Sequence, residues 1–320
     1  MKVPSCNYCD HPAAWMRPWD KTPLCIMHFN KGFLKRVQKT INKYNMLKRN
    51  DVIAIGLSGG KDSVVMMDVM AKLQKDFPTE LIAISIDEGI ENYRADGLKY
   101  AKMAAERAEV DHQIFSFKET FGYDLDEALI VLGENRMAPC SYCGPFRRNL
   151  LNQAAREVGA TKLVTGHNAD DEAQTMMMNM MRGNLLKTLH GNPEPTFKDE
   201  AFVNRVKPFR RTTEQEIVLY ANLNDLPYQE MSCPHATEAY RGKIRDILTD
   251  MMQEDPAVIF SIINSADSLF SLADKVPDTI NYDGDDQLFE CEICGEPTNN
   301  TRCNTCKLKN EIDQAAMSKP

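Results

Sequence analysis

The stretch Ile53 to Ser63, IAIGLSGGKDS, joins a short apolar run to a glycine pair and then to a charged amphipathic segment. That order predicts a buried strand, a tight loop and a helix. Gly59 and Gly60 carry no Cβ, so the backbone can turn sharply and bring its N–H groups close to an anion, while the following helix adds partial positive charge. Ser58 and Ser63 supply hydroxyls and Lys61 a mobile cation. Phosphate chemistry follows. The loop is not a Walker A motif, because Ile55 stands where the first glycine belongs and Asp62 follows the lysine. A plain glycine-rich turn is the bland alternative, and the strand before and helix after weigh against it.

Outward from this stretch, apolar strands alternate with amphipathic helices. Strands are expected at Leu81–Asp87, His112–Phe117 and Lys162–Gly166, and helices at Ser63–Gln74, Tyr93–Glu109, Pro145–Val158 and Asp171–Arg182. The alternation predicts an α/β fold, a doubly wound parallel sheet with its ligand crevice at the carboxyl ends of the strands. The motifs fall at those ends. Asp87 precedes GIENYRADGL (Gly89–Leu98) and either serves nucleotide or Mg²⁺ or caps its loop. Gly166-His-Asn-Ala-Asp-Asp171 closes another strand. Acids there stabilise a helix start, but beside a nucleotide loop they are placed to hold Mg²⁺ or a ribose, with Asp171 the principal candidate.

The 320 residues and 43% hydrophobic content suit one large domain with small appendages. No apolar run approaches the ~20 residues of a spanning helix and no hydrophobic signal core is seen, so no membrane association and a cytoplasmic location are expected. The net charge of −8 does not advertise nucleic acid. Yet Lys31–Arg49 is basic without a single acid, and RVKPFRR (Arg205–Arg211) with Arg241, Lys243 and Arg245 makes a second basic cluster. Two such regions on an acidic chain favour a polyanionic substrate.

Ten cysteines, eight of them in CxxC pairs, in a chain without a secretory signal, argue for metal ligation over disulfides. Cys6, Cys9, Cys25 and His28 have the spacing of a zinc knuckle over residues 1–30, ahead of a basic connecting helix at 31–50 and a catalytic region at 51–275. A Pro-, Gly- and Asp-rich linker is expected at 276–290. Cys291, Cys294, Cys303 and Cys306 then predict a zinc ribbon over 291–320. The two sites take seven cysteines and leave Cys140, Cys143 and Cys233. Three thiolates suit a [4Fe-4S] cubane with one open iron. A persulfide pair activated by Arg147 and Arg148 and a plain structural pair with an unrelated Cys233 are the other readings.

SGGKDS resembles the pyrophosphate loop of the PP-loop ATP pyrophosphatases, which are adenine nucleotide alpha hydrolase-like. With the terminal metal modules, CSYCGPFRR, TGHNADDEAQT and AYRGKIR, nearly the whole chain resembles the tRNA 2-thiouridine synthetases of the TtuA, NcsA and cytosolic wobble-thiolation family. The resemblance implies that ATP adenylates the C2 oxygen of a tRNA uridine, that sulfur attacks C2, and that AMP departs. Leu57, Ser58, Gly59, Gly60, Asp62 and Ser63 would then bind ATP with Asp87, Arg147, Gly166 and Asp171, and Lys61 would stabilise pyrophosphate. Cys140, Cys143 and Cys233 would hold the cluster. Arg147, where some members have lysine, is similar to the archaeal and eukaryotic branch and points to U34; U54 of the T-loop is the alternative. The resemblance also implies a homodimer and a sulfur donor, either sulfide or a ubiquitin-like thiocarboxylate protein. A 2-thiocytidine synthetase is the enzymatic rival, against which the two metal modules count. A non-catalytic RNA-binding zinc protein is the rival of another class, against which intact Lys61, Asp62 and Asp171 count.

Overall fold

The computed structural model describes residues 3–134, 136–189, 191–193, 202–238, 241–273, 275 and 289–318. A short antiparallel pair, β1 (Trp15–Met16) and β2 (Pro23–Leu24), leads into α1 (Ile26–Lys43). Next come β3 (Val52–Gly56), α2 (Lys61–Gln74), β4 (Glu80–Asp87), α3 (Arg94–Ala108) and β5 (Asp111–Ser116). The short α4 (Phe117–Phe121) and α5 (Leu125–Leu132) precede α6 (Pro139–Glu157), β6 (Lys162–Val164) and α7 (Ala169–Met181). Beyond α8 (Leu185–Leu189) lie β7 (Asn204–Val206), α9 (Glu214–Leu223), α10 (Arg241–Glu254) and α11 (Val258–Ala273). The C-terminal module holds β8 (Phe289–Glu290), β9 (Pro297–Thr298) and α12 (Asn304–Met317).

The central sheet runs β5-β4-β3-β6-β7, every neighbouring pair parallel. Ile53, Ala54 and Ile55 are fully buried, as expected of a central strand covered on both faces. The chain winds outward from β3 to β5 and then returns to build β6 and β7 on the other side. This reversal leaves a switch-point crevice at the carboxyl ends of β3 and β6, where SGGKDS and Gly166–Asp171 begin.

Two expectations need correction. The helix expected at Pro145–Val158 begins at Pro139, so Cys140 and Cys143 ride on its first turn. Proline at the first helical position costs no hydrogen bond, and packing of Tyr142 and Phe146 holds the helix through the internal Pro145. Strand β7 was not expected at all, because three residues centred on Arg205 read as a charge cluster. The linker expected at 276–290 falls at 276–288 outside the described residues, as does 194–200 of the polar loop after α8.

The basic run on α1 is only partly solvated. Phe29, Phe33, Val37 and Ile41 bury one face, and Phe33 stacks on Tyr220 at 4.4 Å. Arg36 pairs with the buried Glu216 and Lys43 with Asp267, leaving Lys31, Lys35 and Lys39 exposed. Among the described residues, no single helix is long and apolar enough to cross a membrane.

A buried ion network ties the helical layers together. Arg210 is fully buried and bridges Glu172 of α7 to Asp267 of α11, while Lys207 pairs with Glu172 at 2.6 Å. Asp267 also accepts from Lys43 of α1 and from Tyr44, which caps that helix. Removing one partner strands a buried charge. Arg210→Ala should therefore lower the unfolding free energy by about 3–5 kcal/mol in denaturant titration; a loss below about 1 kcal/mol would mean that Lys207 and Lys43 satisfy both acids unaided.

Candidate functional site

The PP loop is braced from beneath and from the side. Ser85 donates to Leu57 O at 2.5 Å and contacts His112 Nε2 at 2.7 Å, fixing the end of β3. Gly59 sits at φ +87°, and a Cβ there would lie 1.9 Å from Gly97 O. Arg94 donates to Ser58 O at 2.7 Å and pairs with Glu88 at 2.9 Å. GIENYRADGL is thus a brace: Arg94 grips the loop, and Gly97 admits its backbone. Within the loop, Ser63 Oγ accepts from the amides of Ser58 and Gly59 and donates to Gly60 O. The Ser63 hydroxyl thereby occupies the donors that an anion would use.

A cavity of about 340 Å³ opens at the switch point. Leu57, Ser58, Asp62, Ser63, Gly166 and Asp171 line one part of it, and Gly144, Arg147, Arg148 and Arg205 another. Gly166 lets the end of β6 meet the first turn of α2, since a Cβ would come within 2.9 Å of Asp62 C. Asp171 completes the capping box of α7, pairs with Arg241 at 3.0 Å and lines the cavity. Burial pushes the Asp62 and Asp171 carboxyls up, against the cations Lys61 and Arg241 respectively. Two carboxylates desolvated together form a donor set that a hard divalent cation fits.

Cys143 is buried, Cys233 half-buried and Cys140 exposed, and the segment carrying Cys233 packs on α6. Burial pushes the Cys143 thiol up to about 11, with Arg147 pulling it down. A thiol raised in this way is a poor free nucleophile at neutral pH, whereas a soft metal cluster compensates by displacing the proton. Cys233 is also tied to the PP loop, because Gln229, four positions earlier, donates its amide to Gly59 O at 2.9 Å. The other seven cysteines lie in two remote groups. Cys6, Cys9, Cys25 and His28 place all their ligand atoms within 4.8 Å of one another, and Cys291, Cys294, Cys303 and Cys306 do the same.

Comparison with known proteins agrees with this geometry. The profile of a PP-loop domain family matches residues 30–252. The tRNA 2-thiolation protein NcsA of Haloferax volcanii is 37% identical over 96% of this chain and 99% of its own length. The cytoplasmic tRNA 2-thiolation protein 1 of Dictyostelium discoideum is 36% identical over 93% of this chain and 80% of its own. This chain belongs to the NcsA tRNA 2-thiolation family. The solved U34-tRNA thiolase NcsA of Methanococcus maripaludis, determined with its [4Fe-4S] cluster, superposes with a TM-score of 0.81 at 32% identity, covering 96% of this chain and 95% of that one.

Within that family frame, most expected nucleotide residues face the cavity and a few do not. Gly59 and Gly60 shape the loop without lining the cavity. Lys61 pairs with Asp62 at 3.1 Å and with Glu214 of α9 at 2.6 Å. Asp87 caps its own turn by accepting from Gly89 N at 2.9 Å, while its neighbour Glu88 lines the cavity. Period-two alternation alone puts these adjacent acids on opposite sides. The sequence assigns no role to Glu88, Arg94, His167, Glu214 or Gln229, and marks Arg205 only as part of a basic cluster. Only Arg94 and His167 stood inside quoted strand-end motifs, which was the available signal.

Proposed function

We propose that this chain is an ATP-dependent tRNA-uridine 2-sulfurtransferase acting on the wobble uridine U34. The observation that carries the reading is a shared wall: α6 holds Cys140 and Cys143 and, one turn on, puts Arg147 into the PP-loop cavity. Activation and sulfur delivery then meet at one carbon.

In this mechanism the amides of Ser58 and Gly59 turn from Ser63 Oγ, and that of Gly60 from Ser58 Oγ, to the pyrophosphate oxygens, and the N-terminus of α2 adds its partial charge. Lys61 leaves Glu214 and follows the charge that develops on pyrophosphate. Asp62 and Asp171 would hold Mg²⁺, which would supply charge neutralisation to the phosphates. Arg147 neutralises the α-phosphate as the uridine C2 oxygen attacks it, which turns a poor leaving oxygen into part of AMP. The [4Fe-4S] cluster, when bound by Cys140, Cys143 and Cys233, supplies an iron with an open position for sulfur. The exposed Lys31, Lys35 and Lys39 of α1 offer phosphate contacts to tRNA. A cytoplasmic location, a homodimer and a sulfide or thiocarboxylate donor complete the reading.

Zinc suits both terminal sites. Sulfurs held at about 2.3 Å around a tetrahedral ion lie about 3.8 Å apart, and the Cys9–Cys25 and Cys294–Cys303 pairs are each at 3.7 Å. Cys303→Ser should remove one equivalent of zinc by elemental analysis. It should also loosen α12 from α5 and α6, detectable as faster amide exchange around Leu308 and Ile312; full zinc retention would refute that site.

The function is tested by nucleoside mass spectrometry with RNase mapping on unmodified tRNA incubated anaerobically with iron-loaded protein, Mg-ATP and sulfide. Expected is 2-thiouridine at position 34. The same product at 54 would move the substrate to the T-loop, and 2-thiocytidine would change the base. No product, even with a thiocarboxylate protein added, would overturn the reading.

A further inference from the structure

We propose that Arg148 and Arg205 form a phosphate subsite on the α6–β7 wall of the cavity, separate from the SGGKDS loop. The identity of its occupant rests on the ATP and tRNA reading above.

Three arginines, Arg147, Arg148 and Arg205, line one cavity. Arg147 has Glu88 at 3.6 Å. Among the described residues, no carboxylate pairs with Arg148 or Arg205. Their neighbours show that this is not the habit of the region, since Lys207, two residues along from Arg205, is matched by Glu172 at 2.6 Å and Arg210 by Glu172 and Asp267. Arg205 Nε is sealed from solvent without a hydrogen-bond partner. Arg148 folds back over Gly144, its Nη1 lying 3.3 Å from where a Cβ would stand, so the missing side chain makes room for the guanidinium. Burial, and then Arg148 and Arg147, push Arg205 down to about 10, and burial followed by Arg147 lowers Arg148 as well. Arg205 is half-buried and Arg148 is exposed at the cavity wall, and like charges placed side by side repel until an anion sits between them.

Phosphate is the anion whose chemistry fits. A guanidinium presents planar paired donors that match phosphoryl oxygens, and the cavity is continuous with the pyrophosphate loop. Two sources supply such oxygens: the α-phosphate of ATP, and a phosphodiester beside the target uridine. Either would draw the two side chains together over one charge and hold the acceptor in line for attack.

The test uses full-length Arg148→Gln and Arg205→Gln, with Lys102→Gln on the exposed face of α3 as a charge control. Mg-ATP affinity is measured by calorimetry and affinity for unmodified tRNA transcript by filter binding over a salt series. Loss of a charge-assisted contact should raise one Kd by about ten- to a hundredfold, with Lys102→Gln unchanged and Arg148→Lys partly restored. A rise for ATP alone identifies the α-phosphate. A rise for tRNA alone, with the salt slope smaller by about one, identifies a phosphodiester. Unchanged affinity for both in a variant with wild-type circular dichroism overturns the subsite; should Arg205→Gln fail to fold, Arg148→Gln decides. If the affinities shift but the wild-type chain never thiolates tRNA, the subsite stands and the sulfurtransferase reading falls.

Discussion

Replacement of Cys233 by alanine is expected to abolish tRNA thiolation and iron loading while leaving ATP affinity unchanged. Cys233 lies outside the cavity lining and its side chain packs against the α6 cluster, so the nucleotide walls keep their shape. On the proposed ligand set of Cys140, Cys143 and Cys233, a cubane would keep two protein thiolates in place of three, and no other cysteine can replace the third because the remaining seven sit in the two terminal groups. The steps separate cleanly. Iron content and visible absorbance should drop to background and 2-thiouridine should vanish in mass spectrometry, while calorimetric Mg-ATP binding persists. Thiolation by an iron-free variant would favour sulfur carried on Cys140 or Cys143 alone. The raised thiol of Cys143 argues against sulfur on that residue, since a neutral buried thiol attacks poorly, and leaves the exposed Cys140 as the carrier such a result would name.

The second large effect is expected at Gly59. An alanine there must hold φ near +87° and place its Cβ 1.9 Å from the backbone oxygen of Gly97. Backbone on backbone leaves no side chain to swing aside. The loop has to lift off α3, and with it go the Arg94 grip on Ser58 O and the Gln229 tie to Gly59 O. A displacement of about 1 Å at a reacting centre costs on the order of a hundredfold in rate, so Gly59→Ala should lose at least that much in pyrophosphate release. Gly32→Ala on α1 is the matched control: a Cβ there meets nothing within 4 Å, and the better helix former should add about 0.5–1 kcal/mol of stability with turnover unchanged. Equal turnover in both variants would contradict the close approach between loop and helix.

The legibility of this chain divides along a physical line. IAIGLSGGKDS, the CxxC pairs and GHNADD were readable because their chemistry is local: a loop that cradles phosphate, or a knuckle that grips metal, needs its residues at fixed short spacing. Asp87 left two readings open, ligand or loop cap, for the complementary reason. An acid at a strand tip reads as a ligand, yet one step of pleat decided that Glu88 and not Asp87 faces the cavity. The start of α6 was misplaced because Pro139 and Pro145 are equally good first residues of a helix, and only the burial of Tyr142 and Phe146 chose between them.

By itself, the sequence determined the parallel α/β layering, the position of the phosphate loop, two four-ligand metal groups and a remainder of three cysteines, because hydrophobic period and ligand spacing are properties of contiguous residues. Tertiary structure alone decided that Arg94 and Gly97 brace the loop, that Arg210 bridges Glu172 and Asp267, that Gln229 ties the Cys233 segment to Gly59, and that Arg148 and Arg205 come together. Each of those contacts joins residues far apart in the chain. The loop and arginine contacts exist because the sheet reverses its winding between β3 and β6 and brings those strand ends to one crevice, and the Arg210 network because α7 and α11 pack together.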